Sequence, residues 1–461
     1  MPAPRPDRPA VSRFRGRRAS RIGLTLAATV LLLGGCATPA EPSAVDAPYG
    51  APIPINTPQG LRARQTMDML NSDWPIGHVG VATLAAPDKV EEITGELERI
   101  WWDRPFTVQS IEIGAGRATL DVETSYGVEQ RITLATDDEG RVDDLEVELR
   151  PPAIRQWSDI DAELSASGAR YSYQFARIRD TGQCERVAGT NTDLSLPLAS
   201  IFKLYVLLAV ADAVKAGTMS WDDSLTITEE GRKLGSPNLD RLPAGAQISV
   251  RTAAQQMISA SDNMTTDLLM TRLGPGAMER ALRLAGHHDP ASMTPFPTIR
   301  QLFSVGWGQP DVRAQWKKAS HAERVRMLED ADSRPFEPDP LRHRTPASDY
   351  GVEWYGNAED ICRLHVALQN SAVGAAAPVK EILSVVPGIT LDRTKFPYIG
   401  AKGGNLPGDL TFSWYVIDRT GQPWVVSFQL NWPKYRSLTA AGWLLSIAGQ
   451  GFELLPVGQG R

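Results

Sequence analysis

A chain of 461 residues can hold two or three domains with large cores, and 42% hydrophobic with 22% charged residues is a globular composition; only the first sixty positions suggest disorder. The formal net charge of −6 at pH 7 excludes a basic surface for nucleic acid or an anionic lipid face as the organising feature.

Residues 1–36 read as an export leader. Arg13, Arg15, Arg17, Arg18 and Arg21 form a basic start, and the apolar run 22–33 is too short for a stable span. The leader ends in Leu33-Gly34-Gly35-Cys36, which resembles a bacterial lipoprotein box and implies cleavage before a lipid-bearing Cys36; Arg17-Arg18 also permits a twin-arginine route. The leader carries seven arginines and one aspartate, so its removal takes the charge from −6 to −12. Membrane attachment is therefore expected through lipid on the outer face of the cytoplasmic membrane, with no nucleic-acid partner. Cys184 and Cys362 remain, and separate buried thiols are expected.

Residues 37–60 are rich in Pro, Ala and Gly and fit a flexible tether. Residues 61–152 read as a small α+β domain. Helical periodicity covers 61–70 and 90–101, and alternating segments cover 106–113, 117–125, 128–135 and 141–149. Helices followed by a curved antiparallel sheet resemble the cone-like fold of nuclear-transport-factor and steroid-isomerase relatives, an analogy of fold that carries no function. A structural, docking or substrate-shaping role is expected for this unit.

Residues 153–461 form the largest unit. A helix at 159–167 precedes a hairpin, 171–179 and 184–188, turning at Asp180-Thr181-Gly182. Helices follow at 204–214, 250–258, 264–273, 276–284, 322–331 and 357–368. Strands at 398–402, 410–417 and 424–430 and a helix at 438–448 close the chain. A sheet built from both ends of a domain, with helices inserted between, predicts a two-layer α/β sandwich with a helical lobe.

Three short motifs carry the chemistry. Ser200 and Lys203 stand three apart ahead of an apolar run, so a helix would put hydroxyl and amine on one face. Ile201, Phe202 and Leu204 desolvate the amine, lowering its pKa until it can accept the serine proton. Ser261-Asp262-Asn263 lies 61 residues beyond Ser200, between two helices, and Lys402-Gly403-Gly404 lies 141 further, on an edge strand.

S-x-x-K, S-D-N and a K-T-G-like triplet in this order resemble the penicillin-recognising serine enzymes, closest to class A β-lactamases, over residues 155–461. The arrangement of leader, small α+β domain and this domain is also similar to actinobacterial lipoproteins related to the esterase-like proteins of clavulanate gene clusters. The resemblance implies a roughly antiparallel-sheet α/β fold and an acyl-enzyme on Ser200, with Lys203 as base and Ser261 as proton relay. It makes Asn263 a holder of the site and of Lys203, and Lys402 an attractor for a substrate carboxylate. The backbone N–H groups of Ser200 and Asn405 would form the oxyanion hole. Gly403 stands where the family has a hydroxyl residue, and Gly403 and Gly404 let the strand approach a substrate.

The family's deacylating E-x-x-L-N motif is absent: the corresponding stretch, 293–302, contains no acid. The chain between Ser261 and Lys402 is longer than in that family, with the excess assigned to 306–355; Glu329, Asp330 and Glu353 are candidates to be carried back to the site. The expected substrate is a small acyl donor, whether β-lactam, ester or wall peptide, with weak lactam turnover and esterase chemistry open. The alternative is a non-catalytic binder using the same cleft. Gly-x-Ser-x-Gly is missing, and no glycine loop is built for phosphate. His287, His288, His321, His343 and His365 lack metal-ligand spacing and read as surface or loop residues, so no metal or cofactor is expected.

Overall fold

The computed structural model describes residues 47–458. The leader, Cys36 and the proposed lipid attachment lie outside them. Helix α1 (Pro58–Leu70) begins where the Thr57 hydroxyl accepts the Gly60 N–H, with proline in its first turn. A single turn, α2 (His78–Val81), leads to α3 (Val90–Ile100), which turns Ile93, Leu97 and Ile100 inward. Strands β1 (Thr107–Gly114), β2 (Arg117–Glu123), β3 (Glu129–Thr136) and β4 (Val142–Leu149) form an antiparallel sheet in sequence order. Alternation buries Ala118, Leu120, Val122, Ile132 and Leu134 beneath the helices. The expected tether needs correcting over its second half. Ala51 and Val108 exchange backbone bonds with Val108 and Tyr49, and Ile53 is buried in the same core. The pairing closes the open edge of β1, which is why this segment is held.

The larger unit opens with α4 (Trp157–Ala166), β5 (Arg170–Ile178), β6 (Cys184–Thr190) and a short β7 (Leu196–Pro197). A 3₁₀ turn, Ala199–Phe202, runs into α5 (Lys203–Lys215). A small ribbon, β8 (Ser224–Thr226) and β9 (Gln247–Ser249), encloses α6 (Glu229–Arg232). The helical lobe continues through α7 (Val250–Ser259), α8 (Asn263–Leu273), α9 (Ala277–Ala285), α10 (Ile299–Trp307), α11 (Arg313–Lys318) and α12 (His321–Asp332). After β10 (Tyr355–Gly356) come α13 (Ala358–Ser371), α14 (Pro378–Ser384), β11 (Tyr398–Leu406), β12 (Asp409–Ile417), β13 (Pro423–Asn431) and α15 (Leu438–Glu453).

The main sheet runs β11-β12-β13-β5-β6, antiparallel throughout, so strands from both ends of the unit meet at β13 and β5. Its central strands are buried on both faces. Phe175, Trp414 and Phe428 pack with Ile160 of α4 and with Leu444 and Phe452 of α15, whereas Ala176, Tyr415 and Val425 pack with Cys362 of α13. This is the two-layer α/β sandwich with a helical lobe that the pattern predicts. Helix α5 runs through the lobe, with Leu204, Val206, Leu207, Leu208 and Val210 fully buried. Truncating any one of these leucines to alanine would cost about 2–5 kcal/mol.

Two expectations fail here. Cys184 and Cys362 form a disulfide, because β6 lies at the sheet edge next to α13. His287 and His365 are buried, not superficial: His287 Nε2 bonds the Tyr355 carbonyl, and His365 Nε2 bonds Ser413 Oγ. His287, His288 and Asp360 stand close enough to hold a cation, but each is occupied internally. The His287 Nδ1 accepts the Asp289 N–H, and Asp360 takes His288 Nδ1, the Asn357 N–H and Arg363.

The two units share a core. In the turn between β2 and β3, Tyr126 meets the rings of Trp432 and Trp443, and Val128 joins the same cluster. The Asp103 carboxylate caps the start of α15, accepting from the Ser437 N–H at 2.9 Å and from its hydroxyl.

Candidate active site

The cavity lies where the 3₁₀ turn before α5 meets α8, α10, β11, β12 and α15, with a volume of about 370 Å3. Ser200, Ser261, Asn263, Gly403, Gly404 and Asn405 all line it. Lys203 and Lys402 lie behind its wall, buried. The structure therefore brings together every residue singled out in the sequence from the three motifs.

Backbone conformation is forced on both sides of the cleft. Ala199, just ahead of Ser200, has φ +43°, and Ser261 has φ +54°. Side-chain-bearing residues in that region carry about 1–3 kcal/mol of strain and persist only where packing over-determines them. At Ala199 the packing comes from three neighbours. Leu198 N–H bonds the Trp354 carbonyl, the Thr411 hydroxyl donates to the Leu198 carbonyl, and β7 pairs with β10. At Ser261 the neighbour is Asp262, which caps α8 by accepting the Thr265 N–H at 2.7 Å and also takes the Ser236 hydroxyl.

Lys203 is the electrostatic centre. Its Nζ donates to the Ser261 carbonyl (2.5 Å), to Asn263 Oδ1 (2.8 Å) and toward Ser261 Oγ (3.2 Å). Burial pulls its pKa down to about 7, partly offset by the carboxylates of Asp262 and Asp267. Ser200 Oγ has no hydrogen-bond partner among the described residues, so the direct Ser200–Lys203 bond implied by S-x-x-K is not made; the 3₁₀ turn at 199–202 replaces the expected helical turn. Lys402 Nζ donates to Ser261 Oγ at 2.9 Å and to the Gly403 carbonyl at 2.5 Å. Burial, with Lys203 nearby, holds it far below the usual lysine range.

The two glycines face different neighbours. A Cβ at Gly404 would lie 2.5 Å from the Ser200 backbone nitrogen and 2.9 Å from Ala199 Cβ. Gly404 is therefore needed for β11 to lie against the serine's own backbone. A Cβ at Gly403 would meet the Phe412 ring at 2.9 Å. Gly403 pairs across the sheet with Phe412, so that phenyl ring occupies the space a hydroxyl-bearing side chain would need.

Sequence reasoning did not single out the rest of the wall: Ile299 and Phe303 of α10, Trp354, Leu406, Leu410, Phe412, and Leu438 and Ala441 of α15. Trp354 stacks on Phe202 with ring centroids 3.6 Å apart. Among the described residues, no charged side chain lines the cavity. The acid-free stretch is anchored by Asp267, whose carboxylate accepts the Ile299 and Arg300 N–H groups.

Of the three acids that the longer segment could carry back, Glu329 and Asp330 sit exposed on α12. Glu353 does return, beneath the serine's loop. It is buried, accepts the Trp354 N–H at 2.7 Å and faces the Ala199 N–H and Asp409. Burial and the neighbouring Asp409 carboxyl hold Glu353 protonated well above the usual glutamate range.

Residues 156–329 match the model of the β-lactamase enzyme family, and residues 54–142 match one described as the ORF 12 gene product N-terminal region. The first match takes in Ser200, Lys203, Ser261 and Asn263 and stops short of Lys402. The chain is 28% identical over 86 residues to the β-lactamase VEB-1 of Pseudomonas aeruginosa, a stretch covering 18% of this chain and 29% of that protein's length. Among solved structures it is similar to a β-lactamase of Sphaerobacter thermophilus (19% identity, 66% of this chain and all of that one, TM-score 0.44). It is also similar to the chromosome-encoded β-lactamase of Vibrio parahaemolyticus (16%, 64% and 96%, 0.45) and to a mutant of PBP-A solved as its acyl-enzyme with penicillin G (17%, 65% and 96%, 0.43). The larger unit has a β-lactamase/transpeptidase-like α/β fold, preceded by an α+β unit with a four-stranded sheet.

Proposed function

We propose that this protein is a serine hydrolase that works through an acyl-enzyme on Ser200 and prefers neutral, apolar acyl esters to β-lactams. The carrying observation is the uncharged cavity holding Ser200, Ser261 and Asn263 over a buried Lys203 whose amine is half neutral near pH 7. In this reading Lys203 takes the Ser200 proton as Ser200 Oγ bonds the acyl carbon, and hands it through the Ser261 hydroxyl to the departing alkoxide as the acyl–oxygen bond breaks, leaving Lys203 neutral and Ser261 protonated as before. The Ser200 and Asn405 N–H groups receive the negative charge on the carbonyl oxygen. Water then releases the acid and restores the serine.

Two features support esters over lactams. Lys402 is desolvated and committed to Ser261 and the Gly403 carbonyl, leaving no cation among the described residues of the wall for a substrate carboxylate. Glu353, which faces the Ala199 N–H, has its pKa pushed up by burial and the Asp409 carboxyl and lies outside the cavity wall, so it is a poor base for deacylating water. The disulfide supports the accompanying proposal that the chain is exported and anchored through Cys36.

The binder reading has one specific observation in its favour: the Lys203 donors are spent on Ser261 and Asn263, with no bond to Ser200. Intact-protein mass after incubation with a fluorescent penicillin and with an activated ester separates the readings. Ester turnover that disappears in Ser200→Ala, with a long-lived penicillin adduct, is the expected result. No adduct and no turnover leaves the binder.

A further inference from the structure

A second cleft, of about 610 Å3, opens where the small unit meets the larger one. Its walls come from Trp102 and Arg104 after α3, from Arg344 in the segment before β10, and from Lys434 and Tyr435 between β13 and α15. The turn between β11 and β12 separates it from the acyl cavity: Pro346 lines the cleft, and a Cβ on Gly408 would lie 2.8 Å from that proline.

The cleft is cationic on an acidic protein of net charge −6. Arg344 and Lys434 form no ion pair among the described residues. Arg104 has only Asp73, at 4.0 Å and fully exposed. Arg313, also in the wall, is neutralised by Asp311, and Asp349 is the other acid present. Partial desolvation lowers the Lys434 pKa, and the nearby Arg436 and Arg104 lower it further. The cations are also framed by aromatic rings. Trp102 and Tyr435 meet edge to face at 5.4 Å, and the Arg344 guanidinium lies 4.4 Å from the Trp102 ring and 5.6 Å from that of Tyr435.

We infer that this cleft is a binding site, separate from the acyl cavity, for a small organic oxyanion (carboxylate or phosphate) carried on a ring that covers Trp102 and Tyr435. The guanidinium of Arg344 offers a fork for two oxygens, and Lys434 and Arg104 supply the remaining charge. The rings provide the apolar contact that a free inorganic ion would not use.

The test is titration of the full chain with phenyl phosphate, benzoate and inorganic phosphate, followed by calorimetry and tryptophan fluorescence. One ring-bearing probe should bind at least about tenfold tighter than inorganic phosphate, and the tighter of the two identifies the anion. Arg344→Ala and Lys434→Gln, both at exposed positions, should each weaken that binding about tenfold or more without changing the melting temperature, and Ser200→Ala should leave it unchanged. Absence of binding by all three probes, binding that survives in the Arg344→Ala/Lys434→Gln double variant, or binding lost in Ser200→Ala would overturn the inference.

Discussion

Lys203 and Lys402 converge on one hydroxyl, Ser261 Oγ, at 3.2 and 2.9 Å. Two buried ammonium groups sharing one oxygen repel strongly, so the site favours at least one neutral amine. Both shifts run downward, with Lys203 brought to about 7. Because the folded value lies below the usual 10.5, the neutral and basic form of Lys203 accumulates as pH rises through 7. Ester kcat/KM should therefore climb through that region and level off above it. Lys203→Arg, which cannot lose its proton, should lower kcat/KM by about 10²–10⁴. A flat profile from pH 5 to 9 would remove Lys203 from the mechanism.

Glu353 offers a sharper separation of roles. Burial and the Asp409 carboxyl push its pKa up and favour the neutral acid, so replacing it with the neutral amide should change little. Glu353→Gln is expected to keep acylation and deacylation within about threefold of the parent. If Glu353 instead activated the attacking water, deacylation alone would fall by about 10² or more. Stopped-flow burst and steady-state rates on an activated ester distinguish the two.

How much was readable in advance follows from the range of each interaction. Ser200, Lys203, Ser261, Asn263 and Lys402 were legible because each motif is local and its order is characteristic. The alternation in 106–149 marked those strands to within a few residues, since a pleat buries every second side chain, and the near-continuous apolar runs in 410–430 marked strands that are buried on both faces. The walls were not legible. Phe303, Leu438 and Phe412 reach the cavity only through tertiary packing, and nothing local marks them. Glu353 was one of three acids in a segment whose path spacing cannot fix. The Cys184–Cys362 bond joins a strand and a helix 178 positions apart. The left-handed Ala199 carries no sequence signal at all, because alanine is not a residue that favours it.

The Gly403–Phe412 pair explains why this chain departs from the hydroxyl-bearing triplet, and it can be reversed. Gly403→Ser alone should drive its Cβ into the phenyl ring 2.9 Å away, displacing β11 and lowering ester kcat/KM. Joined with Phe412→Ala, the serine gains room beside Lys402, and penicillin acylation should exceed that of either single variant. Rates of fluorescent-penicillin labelling across the four proteins of the cycle check this; strict additivity would mean that the ring does not govern position 403.

Asp103 ties the small unit to the larger one, since it caps α15, whose Leu438 and Ala441 form one wall of the cavity. Burial pushes its carboxyl up to about 6, against an ordinary value of 3.8. The native state thus binds this proton more tightly than the unfolded chain does. Its stabilising contribution is complete below pH about 4 and is lost as pH rises through 6. Across that window the loss amounts to about 2–3 kcal/mol. Asp103→Asn keeps an acceptor for the Ser437 N–H and has no proton to lose. Its stability relative to the parent should therefore improve by about that amount between pH 4 and pH 8 in urea melts. Ester KM should move more than kcat, because the wall and not the nucleophile is what α15 supplies. A parent-minus-variant difference that stays constant with pH would show that Asp103 is already ionised throughout and that the junction between the units is not governed by its proton.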